Sequence, residues 1–287
     1  MIMQTQELEK IASQVRRDIL RMVHGCQSGH PGGSLGCTDL LVELFFNAMN
    51  LKTDSSGNVV FQMDGEGEDV FYLSNGHISP LIYSVLARRG YFAVSELASF
   101  RKINTRLQGH PTPHEHLEGI RIASGSLGQG LSVAIGTAQA KKLSKDNSLV
   151  YCLMGDGEQN EGQVWEAAMY APHHHVDNLI AFIDVNGQQI DGPTDKVMNN
   201  RDLGEKYKAF GWTILHMDGN NAADVQQTIA SAIKLSGQGA PIMVLMQTEM
   251  GAGVDFMMGS HKWHGVAPND QQLADALAQL TETLGDY

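Results

Sequence analysis

Three stretches of the chain are apolar almost throughout: SLVYCLM (148–154), NLIAFIDV (178–185) and PIMVLMQT (241–248). A strand covered on one face alternates apolar and polar residues, whereas a strand without a polar face has to be covered on both. Longer segments with helical spacing of apolar residues separate these runs, so strands and helices alternate along the chain. That order defines a parallel sheet with helices on both faces, and right-handed crossovers make it a doubly wound α/β fold. In such folds ligands bind beyond the C-terminal ends of the strands. The residues that follow each strand are therefore where function is to be sought.

The other elements follow from similar patterns. Leu8, Ile11, Val15, Ile19, Leu20 and Val23 predict a helix over 7–24. A polar, glycine-rich turn is expected from Gln27 to Gly33, after which Thr38 is placed to cap a helix through LLVELFFNAM. Residues 52–69 read as a loop, DVFYLS (69–74) as a strand, and Pro80 opens a helix to Arg89. Residues 101–126 hold no long periodic run and read as an extended functional loop. Helices are predicted at 127–143, 163–172, near 200–209, at 222–236 and from about 270, with a further strand at 211–217. No repeat, Pro/Ser linker or low-complexity block divides the chain, so residues 1–287 read as a single domain.

A chain of 287 residues can build a core without disulfide staples. Its net charge of −12 argues against a general nucleic-acid surface, which needs clustered Lys and Arg. Cys26, Cys37 and Cys152 form no CxxC pair and read as free buried thiols suited to a reducing compartment. No run approaches 18 apolar residues, and the polar N-terminal stretch is unlike a signal peptide. The expectation is a cytoplasmic enzyme that binds neither nucleic acid nor membrane.

The chemistry concentrates after two strands. Gly155-Asp156-Gly157 follows the 148–154 run, and Asn186 follows the 178–185 run, thirty residues after Asp156. Adjacent parallel strands place their exit loops side by side, so the Asp carboxylate and the Asn carbonyl converge. Two hard oxygen ligands of low total charge suit Mg²⁺ or Ca²⁺, and a backbone carbonyl just past Asn186, that of Gln188, can add a third. The incomplete shell leaves positions for diphosphate oxygens, and the glycines let the backbone approach the phosphates. The helix starting near Gln163 presents free N–H groups toward the same place. GDG alone is also an ordinary tight turn; GDGEQNEG with a strand-terminal Asn at this spacing is more specific. His173-His174-His175 falls at a predicted helix end, where cations favour the dipole, and reads as that before it reads as a metal tract. The acidic residues near the C-terminus read as a solvated face.

With these residues in place, the sequence resembles the thiamine-diphosphate enzymes and, within them, the transketolases. Asp156 and Asn186 fall on that family's diphosphate motif. The blocks SGHPGGSLG (28–36), SNGHISP, LQGHP, SGSLGQGLS, DVNGQQIDG and SHKWHG (260–265) occur in the family's order over nearly the whole chain. The resemblance implies a thiamine-diphosphate-binding fold and a cofactor of thiamine diphosphate with Mg²⁺ (or Ca²⁺). It implies that His30, His77, His110 and His264 line the substrate and cofactor channel, with His77 and His264 also beside the cofactor. It places Gly125 and Leu127 on the pyrimidine side, Gly155, Asp156, Gly157 and Asn186 at the diphosphate, and Glu161 near the diphosphate loop in a role linking two subunits.

Full-length transketolases continue into a second α/β domain, which supplies a glutamate for the pyrimidine ring and an aromatic shelf beneath it, and into a third domain. Neither the glutamate nor the shelf is found here. The resemblance therefore implies the N-terminal subunit of a split transketolase. Such a chain works with a separate C-terminal-type chain, in an α2β2 assembly, on sugars or sugar phosphates. Other readings are a deoxyxylulose-phosphate synthase-like or 2-oxoacid dehydrogenase-like subunit, or a non-catalytic cofactor-binding subunit. The SGHPG and LQGHP blocks favour transketolase, and four channel histidines have no use in a purely binding subunit.

Overall fold

A computed structural model describes residues 3–287. The strands are β1 (Val70–Leu73), β2 (Val150–Gly155), β3 (Leu179–Val185), a short hairpin of β4 (Gln188–Gln189) and β5 (Gly192–Pro193), β6 (Thr213–Asp218) and β7 (Ile242–Gln247). β1, β2, β3, β7 and β6 form one sheet in that order, and every neighbouring pair is parallel. The helices are α1 (Thr5–Cys26), α2 (Pro31–Gly36), α3 (Thr38–Glu43), α4 (Ser79–Arg89), α5 (Gly130–Leu143), α6 (Gly162–His173), α7 (Thr194–Val197), α8 (Leu203–Phe210), α9 (Ala222–Leu235) and α10 (Asp270–Gln279).

The apolar runs are explained by what covers them. Along β2, Tyr151 and Leu153 enter a core shared with α1, α3, α4 and α9, while Val150, Cys152 and Met154 enter a second core shared with α5, α6 and α8. β3 divides the same way: Ile180 and Phe182 to one side, Leu179, Ala181 and Ile183 to the other. Side chains alternate between faces as in any strand, but both faces are dry, so the alternation is invisible in the sequence. The three cysteines are free, as expected, with Cys37 and Cys152 buried and Cys26 only partly so. Among the described residues no helix is long and apolar enough to cross a membrane.

Three expectations change. The glycine-rich turn from Gln27 to Gly33 instead runs into α2, with Pro31 at its first position. Glycine is required there, because a β-carbon on Gly32 would stand 2.5 Å from Met250 Cγ and 2.8 Å from the Trp263 carbonyl. Thr38 does not cap the next helix: its hydroxyl donates to the Ser34 carbonyl one turn back, and α3 passes into a π-helical turn, Leu44–Ala48. The acidic C-terminus is not simply a solvated face. Arg17 donates to both Asp286 carboxylate oxygens at 2.9 and 2.7 Å, Gln14 accepts from the Thr283 and Leu284 N–H groups, and Arg88 donates to the Gly285 carbonyl. This clamps the last residues onto α1 and α4. α10 is held by a capping box between Asn269 and Gln272.

Candidate functional site

The C-terminal ends of β1, β2, β3 and β7 open into a cleft of about 430 Å³, in the size range of cofactor sites. Register explains the convergence. Gly155 on β2 lies opposite Asp184 on β3, so the chain leaves β2 at Asp156 just beside the exit at Asn186. The Asp156 N–H donates to the Asp184 carbonyl at 3.1 Å, carrying the pairing one residue past the strand. The Asp156 carboxylate then accepts from the Gly157 N–H at 2.7 Å and the Gly187 N–H at 2.8 Å. Each carboxylate oxygen keeps a lone pair for a further partner. Burial, and then the nearby Asp184, push this carboxyl up to about 7.

Asn186 is turned by its neighbours. Its side-chain amide donates to Asp184 at 2.7 Å, which leaves Oδ1 facing the loop, where it accepts from the Gln188 N–H at 2.9 Å. Gln188 sits opposite Pro193 in the β4–β5 hairpin, and proline has no N–H, so the pairing does not consume the Gln188 carbonyl. Asp156, Asn186 and Gln188 therefore line one wall together, as their spacing implies. The donor set is oxygen only: one carboxylate, one amide and one main-chain carbonyl. That chemistry fits a hard divalent cation completed by ligand oxygens.

The same cleft carries the histidines. His30 heads α2, His77 lies in the short turn Gly76–Ile78 after β1, His110 in the long loop and His264 after the turn His261–Trp263. Their rings gather: His30–His77 centroids are 5.1 Å apart, His30–His264 5.5 Å, His77–His264 5.2 Å and stacked, and His30–His110 6.4 Å. Burial lowers His77 to about 3 and His30 to about 4, with neighbouring His264 adding to both. His264 is lowered by burial and then by His261, and His110 by burial and then by Arg101. At neutral pH the cluster is uncharged, so it offers hydrogen-bond donors and acceptors rather than imidazolium acids.

Several polar atoms on this cleft are buried without a partner: His30 Nδ1, His264 Nδ1, Asn75 Oδ1, Ser124 Oγ, Gln188 Oε1 and Gln189 Nε2. A wall with this many unsatisfied groups is built for a polar ligand. A larger hollow of about 630 Å³ lies past β6, lined by carboxylates that each take a local backbone N–H. Asp202 caps α8, Asp218 accepts from the Asn220 N–H, and Asp224 accepts from the Asp218 N–H. Among the described residues, none of the unpartnered buried side-chain atoms belongs to a residue of that hollow, whereas six belong to the cleft.

Gly125, Leu127, Gly155, Gly157 and Glu161 also line the cleft. Helix α6 does not present its N-terminus directly after the GDG turn, since a 3₁₀ turn, Gly157–Asn160, intervenes and Glu161 occupies the N-cap as an exposed rim residue. His114 and His116 lie exposed around a separate 3₁₀ turn and are not among the cleft residues. The pattern reading missed Asn75, Ser124, Glu158 and Asp184. Asn75 had a signal, since it follows a strand end as Asn186 does. Glu158 is 2% exposed, and its carboxylate accepts from the Ser74 hydroxyl, the Gly128 N–H at 2.7 Å and the Gly155 N–H at 3.0 Å. It thereby ties three loops of the cleft together.

Sheet order, oxygen donors and histidine wall together define a class, and the sequence comparison agrees: the chain belongs to the transketolase family, matching the transketolase thiamine diphosphate binding domain over residues 8–285. Among its relatives is one of the subunits of the apulose-4-phosphate transketolase of Phocaeicola vulgatus, 34% identical over 98% of this chain and 96% of the relative. A 6-deoxy-6-sulfo-D-fructose transketolase subunit of a Clostridium species is also 34% identical, over 96% of each chain. The crystal structure of transketolase from Campylobacter jejuni superposes with a TM-score of 0.86 at 28% identity, over 97% of this chain and 43% of that one. This chain thus spans less than half the length of the solved transketolases it matches, and nearly the whole length of the relatives named as subunits.

Proposed function

We propose that this chain is the cofactor-binding subunit of a two-chain transketolase. With a C-terminal-type partner, in an α2β2 assembly, it transfers a two-carbon ketol unit from a ketose or ketose phosphate to an aldose acceptor. The observation that carries the reading is the meeting of Asp156 and Asn186 at neighbouring strand ends, in one cleft with four histidines whose pKa values are lowered. Two relatives of matching length are named as transketolase subunits, which supports the division into two chains.

In this reading Asp156, Asn186 Oδ1 and the Gln188 carbonyl hold Mg²⁺ or Ca²⁺, and the GDG turn lies along the diphosphate. Gly125 and Leu127 border the pyrimidine side. When bound, thiamine diphosphate supplies the carbanion stabilisation that lets a carbon–carbon bond next to a carbonyl break and form. The protein's share is placement and exclusion of water. His30, His77 and His264 are packed closely enough to fix one another's ring planes, and His30 Nδ1 and His264 Nδ1 are still free to bond sugar hydroxyls. His110, exposed at the mouth, meets the substrate first.

The test is Asp156→Ala. The variant loses a ligand and its charge, so calorimetry with thiamine diphosphate and Mg²⁺ is expected to show no metal-dependent binding while the variant remains folded. Affinity equal to wild type removes Asp156 from the site and the reading with it.

A further inference from the structure

Asp184, at the end of β3, is 2% exposed, as deeply buried as Glu158 and more so than Asp156. Its oxygens are taken by three groups from three directions. The Thr248 hydroxyl, just past β7, donates to Oδ1. The Asn186 amide donates to Oδ2 at 2.7 Å. The Cys37 thiol, between α2 and α3, lies against it as well. A carboxylate without a cationic partner is costly to bury, so a simple packing role is better served by an apolar residue.

The geometry shows what the carboxylate accomplishes. An asparagine amide has two nearly isosteric ends, and only its neighbours choose between them. Burial pushes the Asp184 carboxyl above the ordinary carboxylate range, yet both of its oxygens serve as acceptors here, Oδ1 for the Thr248 hydroxyl and Oδ2 for the –NH₂ end of Asn186. That choice turns Oδ1 of Asn186 to the Gln188 N–H, in the loop that lines the cleft with Asp156. With the amide reversed, two protons would point at the place where a cation is to sit.

We propose that Asp184 is a positioning residue, whose buried carboxylate, itself held by Thr248, fixes the Asn186 amide with its oxygen toward the cation. The inference rests on the proposed metal and thiamine diphosphate site and adds to it a residue that touches neither group. Outer partners of this kind change metal affinity by roughly ten- to a hundredfold when lost.

The experiment titrates Mg²⁺ at saturating thiamine diphosphate, by calorimetry, into the full chain combined with its C-terminal-type subunit, for wild type, Asp184→Asn, Thr248→Val and Thr248→Ser. Asp184→Asn replaces the fixed acceptor with an amide of either sense. The expected result is a rise of about tenfold or more in the Mg²⁺ concentration at half saturation. The melting temperature without Mg²⁺ should stay level or rise, because a buried charge is gone. Saturating Mg²⁺ should restore thiamine diphosphate affinity toward wild type, which a generally damaged site would not allow. Thr248→Val, which removes the hydroxyl that holds Asp184, should shift the curve in the same direction, and Thr248→Ser should return it. Absence of Mg²⁺-dependent binding in the wild-type assembly overturns the site itself. Wild-type binding with a superimposable Asp184→Asn curve overturns the positioning role alone. If Asp184→Asn does not fold, an unchanged curve for Thr248→Val does the same.

Discussion

At the scale of single residues the site is made of groups kept out of their usual charge states. His77 and His30 are depressed to about 3 and about 4, while an unfolded histidine titrates near 6.5. The sign of the consequence is fixed by proton uptake. Below pH of about 6.5 the unfolded chain binds protons that the folded chain refuses, so acidification favours unfolding until the folded pKa values are reached. The stabilising effect of neutral His77 is therefore complete above about 6.5 and lost progressively toward about 3. Asp156 and Glu43, both raised to about 7 by burial, act in the opposite sense. The comparison that isolates His77 is therefore between wild type and His77→Gln, which keeps a polar side chain that does not titrate. Melting temperatures from pH 7 to pH 4 should fall more steeply for wild type than for the variant. Parallel curves would mean that His77 is not held neutral by its surroundings, among which His30, His264 and His110 are the titratable neighbours.

At the scale of elements, two helices that frame the cleft from one side are joined by a buried ion pair. Asp18 on α1 is fully buried and accepts from Arg88 on α4 through Nε and Nη2, both at 2.8 Å, and from the Ser84 hydroxyl at 2.8 Å. α4 follows directly on the His77 turn and α1 leads into His30, so the pair sets the spacing of the two histidine-bearing segments. Asp18→Ala leaves the Arg88 guanidinium buried without its carboxylate, and a loss of about 3–5 kcal/mol in unfolding free energy is expected by urea denaturation. Double replacement by Asp18→Leu and Arg88→Met should recover much of it, because the cost lies in the unpaired charge. A single mutant as stable as wild type would show that the pair carries no such load. Such pairs mark the boundary of what sequence patterns reveal. The strands of the sheet were legible because covering both faces leaves an apolar run, and Asp156 and Asn186 were legible because they follow two such runs. α2 was not, because its PGGSLG composition is that of a turn, and only the close approach of Met250 and Trp263 explains it. Nor were Glu158 and Asp184, whose meaning depends on partners from Ser74 to Thr248 that adjoin them only in the fold.

At the scale of the whole molecule the cleft has one finished side. The oxygen donors and the histidines lie on this chain, yet Gly125, on the proposed pyrimidine side, and Glu161, by the diphosphate loop, are exposed to solvent. A cofactor gripped here by its diphosphate would leave its ring end uncovered, and the resemblance implies that a glutamate for the pyrimidine ring comes from outside this chain. The relatives named as transketolase subunits match this chain over 96% of their own length, whereas the Campylobacter jejuni transketolase has more than twice as much chain. In the proposed assembly the cover comes from a second polypeptide, and pairing two such halves about a two-fold axis gives two of each chain. The purified chain alone is then expected to bind Mg²⁺ and thiamine diphosphate weakly and to transfer no two-carbon unit at a useful rate. Adding the C-terminal-type subunit should raise cofactor affinity and ketol transfer in the same concentration range, because one event completes both the ring pocket and the reaction chamber. Calorimetry and a coupled assay on the same mixtures test this. Affinity that rises without activity would point to an assembly serving cofactor storage. Robust transfer by the single chain, shown free of a co-purifying partner by mass spectrometry, would overturn the two-chain reading altogether.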